Sequence, residues 1–279
     1  MQYILFNQKA NNGKGKENAD KYLETVKCEY ELVNVCETDI KEWVKSLKEE
    51  DLVVLCGGDG TLNRFANDLY GTEVPCDILL FGAGTGNDFL RDIKENYDQS
   101  NPVSIKKFIE KLPTVKIKDK EVKFLNGIGF GIDGMCCEVA DEMKANGAKE
   151  INYTTLSIKL MLFKYKCPKS TIIVDGVAKE YNKTWIASAM NGRYYGGGMK
   201  AAPDQDRLGD TLTNVVFHDK GRIATLMAFP SIFKGEHVNK KKIVEVRTGK
   251  EITVKFDRPM ALQIDGETVT GVTEYTAWK

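Results

Sequence analysis

Histidine is nearly missing from this chain. Among 279 residues only His218 and His237 are histidines, and no two of the seven cysteines form a C-x-x-C pair. Zinc sites draw on closely spaced Cys and His ligands, so their usual spacing is absent. No sign of charge is in excess, since Lys+Arg and Asp+Glu stand at 40 each. A general nucleic-acid binder carries a basic surplus, and neutrality argues against that class while leaving room for a local basic patch. No apolar run approaches the ~20 residues of a membrane span. The nearest, Leu156–Tyr165, is interrupted by Lys159 and Lys164. The opening Met1–Phe6 lacks the basic start of a secretory signal and reads as a first strand. Scattered thiols fit a reducing, cytoplasmic setting, each read most simply as a small buried apolar side chain. Neither a repeat nor a low-complexity tract is present, and any contact with a membrane is expected from its surface.

What is present falls into two patterns. The first 112 residues alternate strand-like and helix-like signals. Tyr3–Phe6, Leu52–Cys56 and Ile78–Phe81 are continuous apolar runs, as expected of strands buried on both faces of a parallel sheet. Between them, Ile40, Trp43, Val44 and Leu47 share one helical face, with Thr38 placed as its N-cap. Thr61–Leu69 and the Ile105–Leu112 periodicity predict further helices. This order predicts a doubly wound α/β domain. After Pro113 the runs shorten and become mostly strand-like, which predicts an antiparallel β-sandwich. Thr248-Gly249-Lys250 reads as a hairpin joint. The expected boundary divides the chain into 1–119 and 120–279.

Two glycine-rich turns follow buried strands: Gly57-Gly58-Asp59-Gly60-Thr61 and Gly82-Ala83-Gly84-Thr85-Gly86-Asn87-Asp88. Glycine lets backbone N–H groups approach phosphate oxygens, and a following helix adds partial positive charge. Either turn alone is equally a tight connection. An acid inside each, Asp59 and Asp88, makes sense beside phosphate when a cation intervenes, as at a Mg²⁺-nucleotide site. No Walker A loop occurs, although Gly13-Lys14-Gly15-Lys16 looks superficially similar. The one G-x-G-x-x-G, Gly129–Gly134, lies in the β-rich half and outside a βαβ unit, which speaks against a dinucleotide site there.

Taken in order, Asn7 with Gly13–Lys16, Gly57–Asn63, Gly84–Phe89, Gly129–Asp133, Gly196–Met199 with Pro203 and Asp210, and Asp265-Gly266-Glu267 resemble the diacylglycerol kinase catalytic superfamily, in particular the bacterial soluble lipid kinases. The resemblance spans nearly the whole chain. It implies a nucleotide-binding α/β domain followed by a β-sandwich domain, with the active site between them. By that likeness Asn7, Gly13, Thr38, Gly57, Gly58, Asp59, Gly60, Thr61, Leu62, Asn63, Arg64 and Thr85 contact ATP, while Asp59 and Asp88 organise phosphates, Mg²⁺ and acceptor. Glu267 becomes the general base. A structural Mg²⁺ is implied on the Asp210 carboxylate and the carbonyls of Arg207 and Leu212. The implied reaction is phosphorylation of diacylglycerol or a similar lipid taken from the membrane surface, with no nucleic-acid partner; a homodimer is compatible with it. Tyr153–Tyr165 is a candidate wall of an apolar cleft and equally a core helix. An NAD kinase-like enzyme and a non-catalytic nucleotide-binding regulator are the alternative readings. The chain departs from the family pattern at Asn7–Gly13, which lacks the usual proline, and at Lys116 and Lys118, which stand near a family aspartate.

Overall fold

A computed structural model describes residues 1–82, 87–94, 101–148 and 151–279, with the side chains of Asn11 and Asn12 outside that description. The chain divides into two compact units, Met1–Leu112 and Pro113–Lys279. The division falls ahead of residue 119. Thr114–Ile117 pairs with Thr276–Trp278 and with Lys120–Lys123, so this strand belongs to the second unit.

In the first unit the described residues form a five-stranded sheet in the order Tyr30–Asn34, Gln2–Phe6, Leu52–Gly57, Asp77–Gly82, Val103–Ser104. The first three pairings are parallel and the last is antiparallel. Ile4, Val54, Cys56 and Phe81 form its core with Ala19 and Tyr22 of helix Lys16–Leu23. Parallel strands covered by helices have no wet face, which is why their sequences are continuously apolar. Burial pushes the Cys56 thiol up to about 12, as suits a packing residue rather than a nucleophile. The helix at Ile40–Val44 is capped by Asp39, whose carboxylate accepts from Glu42 N–H at 3.2 Å, so the cap lies one residue beyond Thr38.

The second unit is built on ten strands among the described residues, all of whose assigned pairings are antiparallel. Alternate residues of one strand serve two cores: Leu212 and Val216 join one, Val215 and Phe217 the other. The first core holds the Phe130–Phe256 ring stack at 3.8 Å. The second lies under the helices Ile132–Ala145 and Tyr153–Phe163. Leu160 and Met161 are buried there, so the latter helix is a core element.

Thr248-Gly249-Lys250 is not a hairpin. Val244–Gly249 pairs with Leu212–Phe217, whereas Glu251–Ile264 pairs with Glu267–Trp278 and two other strands. The chain changes partners at Lys250. The Lys250 and Glu251 N–H groups donate to the Asp175 carboxylate at 2.8 and 2.9 Å, which satisfies the donors a hairpin would have paired.

Candidate active site

At the carboxyl edge of the first sheet, each strand hands its last residues to a turn. After Gln2–Phe6, Asn7 turns its side-chain oxygen to the Lys9 N–H and the Cys36 thiol, both at 3.0 Å. Arg64 donates to the Cys36 sulfur at 3.6 Å and pairs with Asp68 at 3.5 Å. The fold therefore brings Asn7 and Arg64 together through Cys36, a residue that the motif reading missed. Gly15 is another: a Cβ there would lie 1.7 Å from the Asn7 carbonyl oxygen, whereas Gly13, at φ +89°, has open space around it. Thr38 lies in the turn after Cys36 and is half-buried.

The strand Leu52–Gly57 ends on Gly57, where a Cβ would come within 2.6 Å of the Thr61 side chain. Thr61 folds back over that glycine from the first turn of helix Asp59–Asp68. Gly60 differs, since nothing among the described residues lies within 4 Å of a Cβ built on it. The N–H groups of a helix's first turn have no intrahelical acceptor. Leu62 N–H already reaches the Gly58 carbonyl at 3.1 Å, and Asn63 follows half-buried. An open first turn at the end of a buried strand is chemically an anion seat.

Asp59 reaches away from its own helix. Its carboxylate accepts from the Asp88 N–H at 2.9 Å and the Phe89 N–H at 3.4 Å. Those donors begin helix Asp88–Ile93, so Asp59 links its own turn to the end of the second glycine turn. Asp88 is 3% exposed and stands 3.9 Å from Arg91. Thr85 lies outside the described residues.

In the second unit Glu267 opens the strand Glu267–Trp278, paired with Ile264 across a two-residue turn. Asp265 and Gly266 both have positive φ, +49° and +93°, the form of a tight hairpin turn that favours Asp-Gly. The Asp265 carboxylate accepts from Leu125, Asn126 and Gly127 N–H at 2.5, 2.7 and 3.0 Å. The turn is thus pinned to the entry of strand Gly127–Gly131, while Glu267 beside it is exposed. A rigid support under an exposed carboxylate is what a positioned base needs. Thr268 faces the helix Ile132–Ala145, bonding Asp141 at 2.6 Å. Strand alternation turns Glu267 to the other face.

That helix carries Asp133, which accepts from the Tyr195 hydroxyl at 2.7 Å. Desolvation raises its pKa to about 6, against the lowering effect of that hydrogen bond.

The implied structural metal would rest on Arg207, Asp210 and Leu212. The Arg207 carbonyl accepts from the Lys279 ammonium at 2.5 Å. Gln205 Nε2 donates to the neighbouring carbonyls of Asp206 and Thr211, at 3.0 and 2.8 Å. Asp210 is exposed, and Leu212 is fully buried at the start of its strand. No group of three or more His, Cys, Asp or Glu suited to a metal occurs among the described residues. The ammonium occupies an oxygen the ion would need, so the donor set as arranged does not fit a divalent metal.

The geometry defines a class: a parallel α/β unit with an open phosphate-type turn, followed by an antiparallel β unit presenting a supported carboxylate. Residues 2–120 match the family model of the diacylglycerol kinase catalytic domain, and residues 126–276 that of the YegS C-terminal NAD kinase beta sandwich-like domain. A diacylglycerol kinase of Mycobacterium tuberculosis is 27% identical over 218 residues, covering 76% of this chain and 68% of that protein. A solved diacylglycerol kinase structure from Bacillus anthracis superposes with a TM-score of 0.65 over 100% of this chain and 94% of that one. Its sequence identity is 22%, which makes it a likeness of fold. The chain belongs to the diacylglycerol kinase-like lipid kinase family. Among the described residues, no helix is long and apolar enough to cross a membrane.

Proposed function

We propose that the protein is an ATP- and Mg²⁺-dependent kinase that transfers the γ-phosphoryl group to a hydroxyl of diacylglycerol or a similar amphiphile, working in the cytoplasm on lipid taken from the membrane surface. The observation that carries this reading is the open first turn at Gly58–Thr61, with Asp59 bridging to the end of the second turn, where helix Asp88–Ile93 begins. Phosphoryl transfer asks a protein mainly for alignment and charge neutralisation. In this reading the turn's backbone N–H groups take phosphate oxygens. Asn7, Arg64 and Thr85 border the nucleotide. Asp59 and Asp88 serve the Mg²⁺ that arrives with ATP; such an ion needs one or two carboxylates besides the phosphates. The acceptor hydroxyl oxygen attacks the γ-phosphorus and its proton passes to Glu267. The bond from the γ-phosphorus to the β–γ bridging oxygen breaks, and ADP leaves.

The test is transfer of label from ATP with Mg²⁺ to a panel of diacylglycerol, ceramide, sphingosine, polyprenol and NAD. Label in diacylglycerol or another lipid alcohol is expected. Label confined to NAD would sink the lipid assignment, and nucleotide binding without any transfer would favour a regulator. Glu267→Gln should lower turnover at least ~100-fold at unchanged thermal stability, and full activity of that variant would remove Glu267 as the base.

A further inference from the structure

Every backbone N–H and carbonyl of Leu125–Gly127 is engaged, and the groups that hold this segment come from three distant stretches of the second unit. Its N–H groups all donate to the Asp265 carboxylate, and the Asp265 N–H returns to the Gly127 carbonyl at 3.1 Å. The Leu125 carbonyl accepts from Asn191 Nδ2 at 2.9 Å and from Arg207 Nη1 at 2.5 Å. The Asn126 carbonyl accepts from the N–H groups of Asn191 and Gly192 at 2.9 and 3.0 Å. Arg207 Nη2 also donates to the Asn126 side-chain oxygen at 2.8 Å. Asn126, Asn191 and Arg207 are all buried.

One further cation closes this arrangement. Lys279 follows the strand Glu267–Trp278, and its N–H donates to the Lys250 carbonyl at 3.1 Å, so the sheet fixes its backbone. Its ammonium donates to Asn191 Oδ1 at 2.8 Å and to the Arg207 carbonyl at 2.5 Å. An ammonium only donates. It therefore decides which way the Asn191 amide faces, oxygen to Lys279 and nitrogen to Leu125. It also holds the backbone of the residue whose guanidinium grips Leu125 and Asn126. Both routes from Lys279 end on Leu125–Gly127, and from there on Asp265, two residues before Glu267. Hydrogen bonds with an ionised donor are about twice as strong as neutral ones, and members of a buried network support one another.

The Arg207 carbonyl is one of the oxygens that the family likeness gives to a structural Mg²⁺. A divalent ion and a tethered ammonium do the same work there, placing positive charge between oxygens that face one another. The ion has to be captured from solution, whereas Lys279 is carried in by the sheet. We infer that Lys279 takes the place of that ion in this chain and, through Asn191 and Arg207, is a positioning residue for Glu267. The catalytic consequence rests on the reading of Glu267 as the base; the metal-free anchoring does not.

The experiment compares the full wild-type chain with Lys279→Met, which keeps the length of the side chain without its charge. Melting temperature and amide hydrogen exchange are read without nucleotide. Wild type should melt identically in EDTA and in excess Mg²⁺, with the protection of residues 205–212 unchanged. Lys279→Met should exchange the amides of Leu125–Gly127 and Gly266 about tenfold faster or more, the worth of one charge-assisted hydrogen bond, while the first sheet stays as it was. Lys279→Arg, which keeps a cation, should restore most of that protection; an equal loss in both variants would show that the charge is not the agent. Residues 205–212 of wild type losing protection in EDTA and regaining it with Mg²⁺ would return the loop to a metal and overturn the inference. So would a Lys279→Met variant that exchanges like wild type. In the transfer assay Lys279→Met should lower kcat about tenfold or more at an unchanged KM for ATP, as displacement of a positioned base does. An unchanged kcat beside faster exchange would remove Lys279 as a positioning residue. Wild type inactive on every acceptor, with the exchange pattern as expected, would break the kinase reading and leave the anchoring intact.

Discussion

The segments Gly57–Thr61 and Gly129–Gly134 share a form, a buried strand whose glycines open a helix, yet their glycines serve opposite ends. Around Gly60 a Cβ would meet nothing within 4 Å among the described residues. At Gly134 it would lie 1.9 Å from the Ala261 carbonyl oxygen. At Gly129 it would lie 2.6 Å from the Asp133 Cβ. The second segment's glycines let the helix Ile132–Ala145 sit directly on the strand Glu251–Ile264, filling the space where a phosphate would need to enter. The acids differ in parallel. Asp59 spends its oxygens on backbone donors at another helix's start, while Asp133 faces a tyrosine hydroxyl and loses solvent. A glycine motif thus reports a close approach, and what approaches is decided by the partner element.

The sharpest way to break the contrast is Gly134→Ala. Its methyl group would press on the backbone of Ala261 and Leu262, which cannot turn aside as a side chain would. A loss of about 3 kcal/mol or more is expected in chemical denaturation, at the upper end for overpacking. A variant as stable as wild type would show that the helix does not rest on this strand. Asp59→Ala comes next. It removes the acceptor for two N–H groups at the start of helix Asp88–Ile93. About 1–2 kcal/mol of stability should go, with nearly all transfer activity.

How much of this was legible beforehand depends on the reach of each feature along the chain. The parallel sheet could be read because Leu52–Cys56 and Ile78–Phe81 carry their burial in their own composition. The hairpin turn at Asp265-Gly266 likewise announces itself in two residues. Gly134 could not be understood from its surroundings, since the backbone it packs against comes at Ala261. The change of partners at Lys250 depends on Asp175, and the early start of the second unit depends on Thr276–Trp278. Cys36 escaped notice because a lone cysteine has no pattern until the strand order brings it beside Asn7. Local chemistry was readable; the partner across the sheet was not.

Asp133 offers a pH-resolved test. Its folded pKa of about 6 lies above the ordinary 3.8, so between those values the folded chain holds more protons than the unfolded one. Stability from this group is therefore fully present below about pH 4, falls as pH rises through 6, and stays lower above it. Asp133→Asn keeps an oxygen for the Tyr195 hydroxyl but cannot ionise. At pH 4 the variant should match wild type. At pH 7 it should be more stable by on the order of 1 kcal/mol, after discounting for partial exposure. Parallel stability curves from pH 4 to 7 would show that Asp133 is solvated like a surface carboxylate.

The smallest effect on stability, and the one that tests the other half of the contrast, belongs to Gly60→Ala. The position lies in the first turn of a ten-residue helix, has no positive φ, and among the described residues leaves open space for a methyl group. Alanine favours a helix over glycine by up to about 1 kcal/mol in an interior and less in the first turn. Stability should therefore hold within about 0.5 kcal/mol or rise slightly. Activity should respond in the opposite sense, because the methyl group occupies the space through which a phosphate oxygen would reach the backbone N–H groups. At least a tenfold rise in the KM for ATP is expected. If Gly60→Ala binds ATP as wild type does while Gly134→Ala unfolds the second unit, the open turn is not the phosphate seat, and the two segments differ in packing alone.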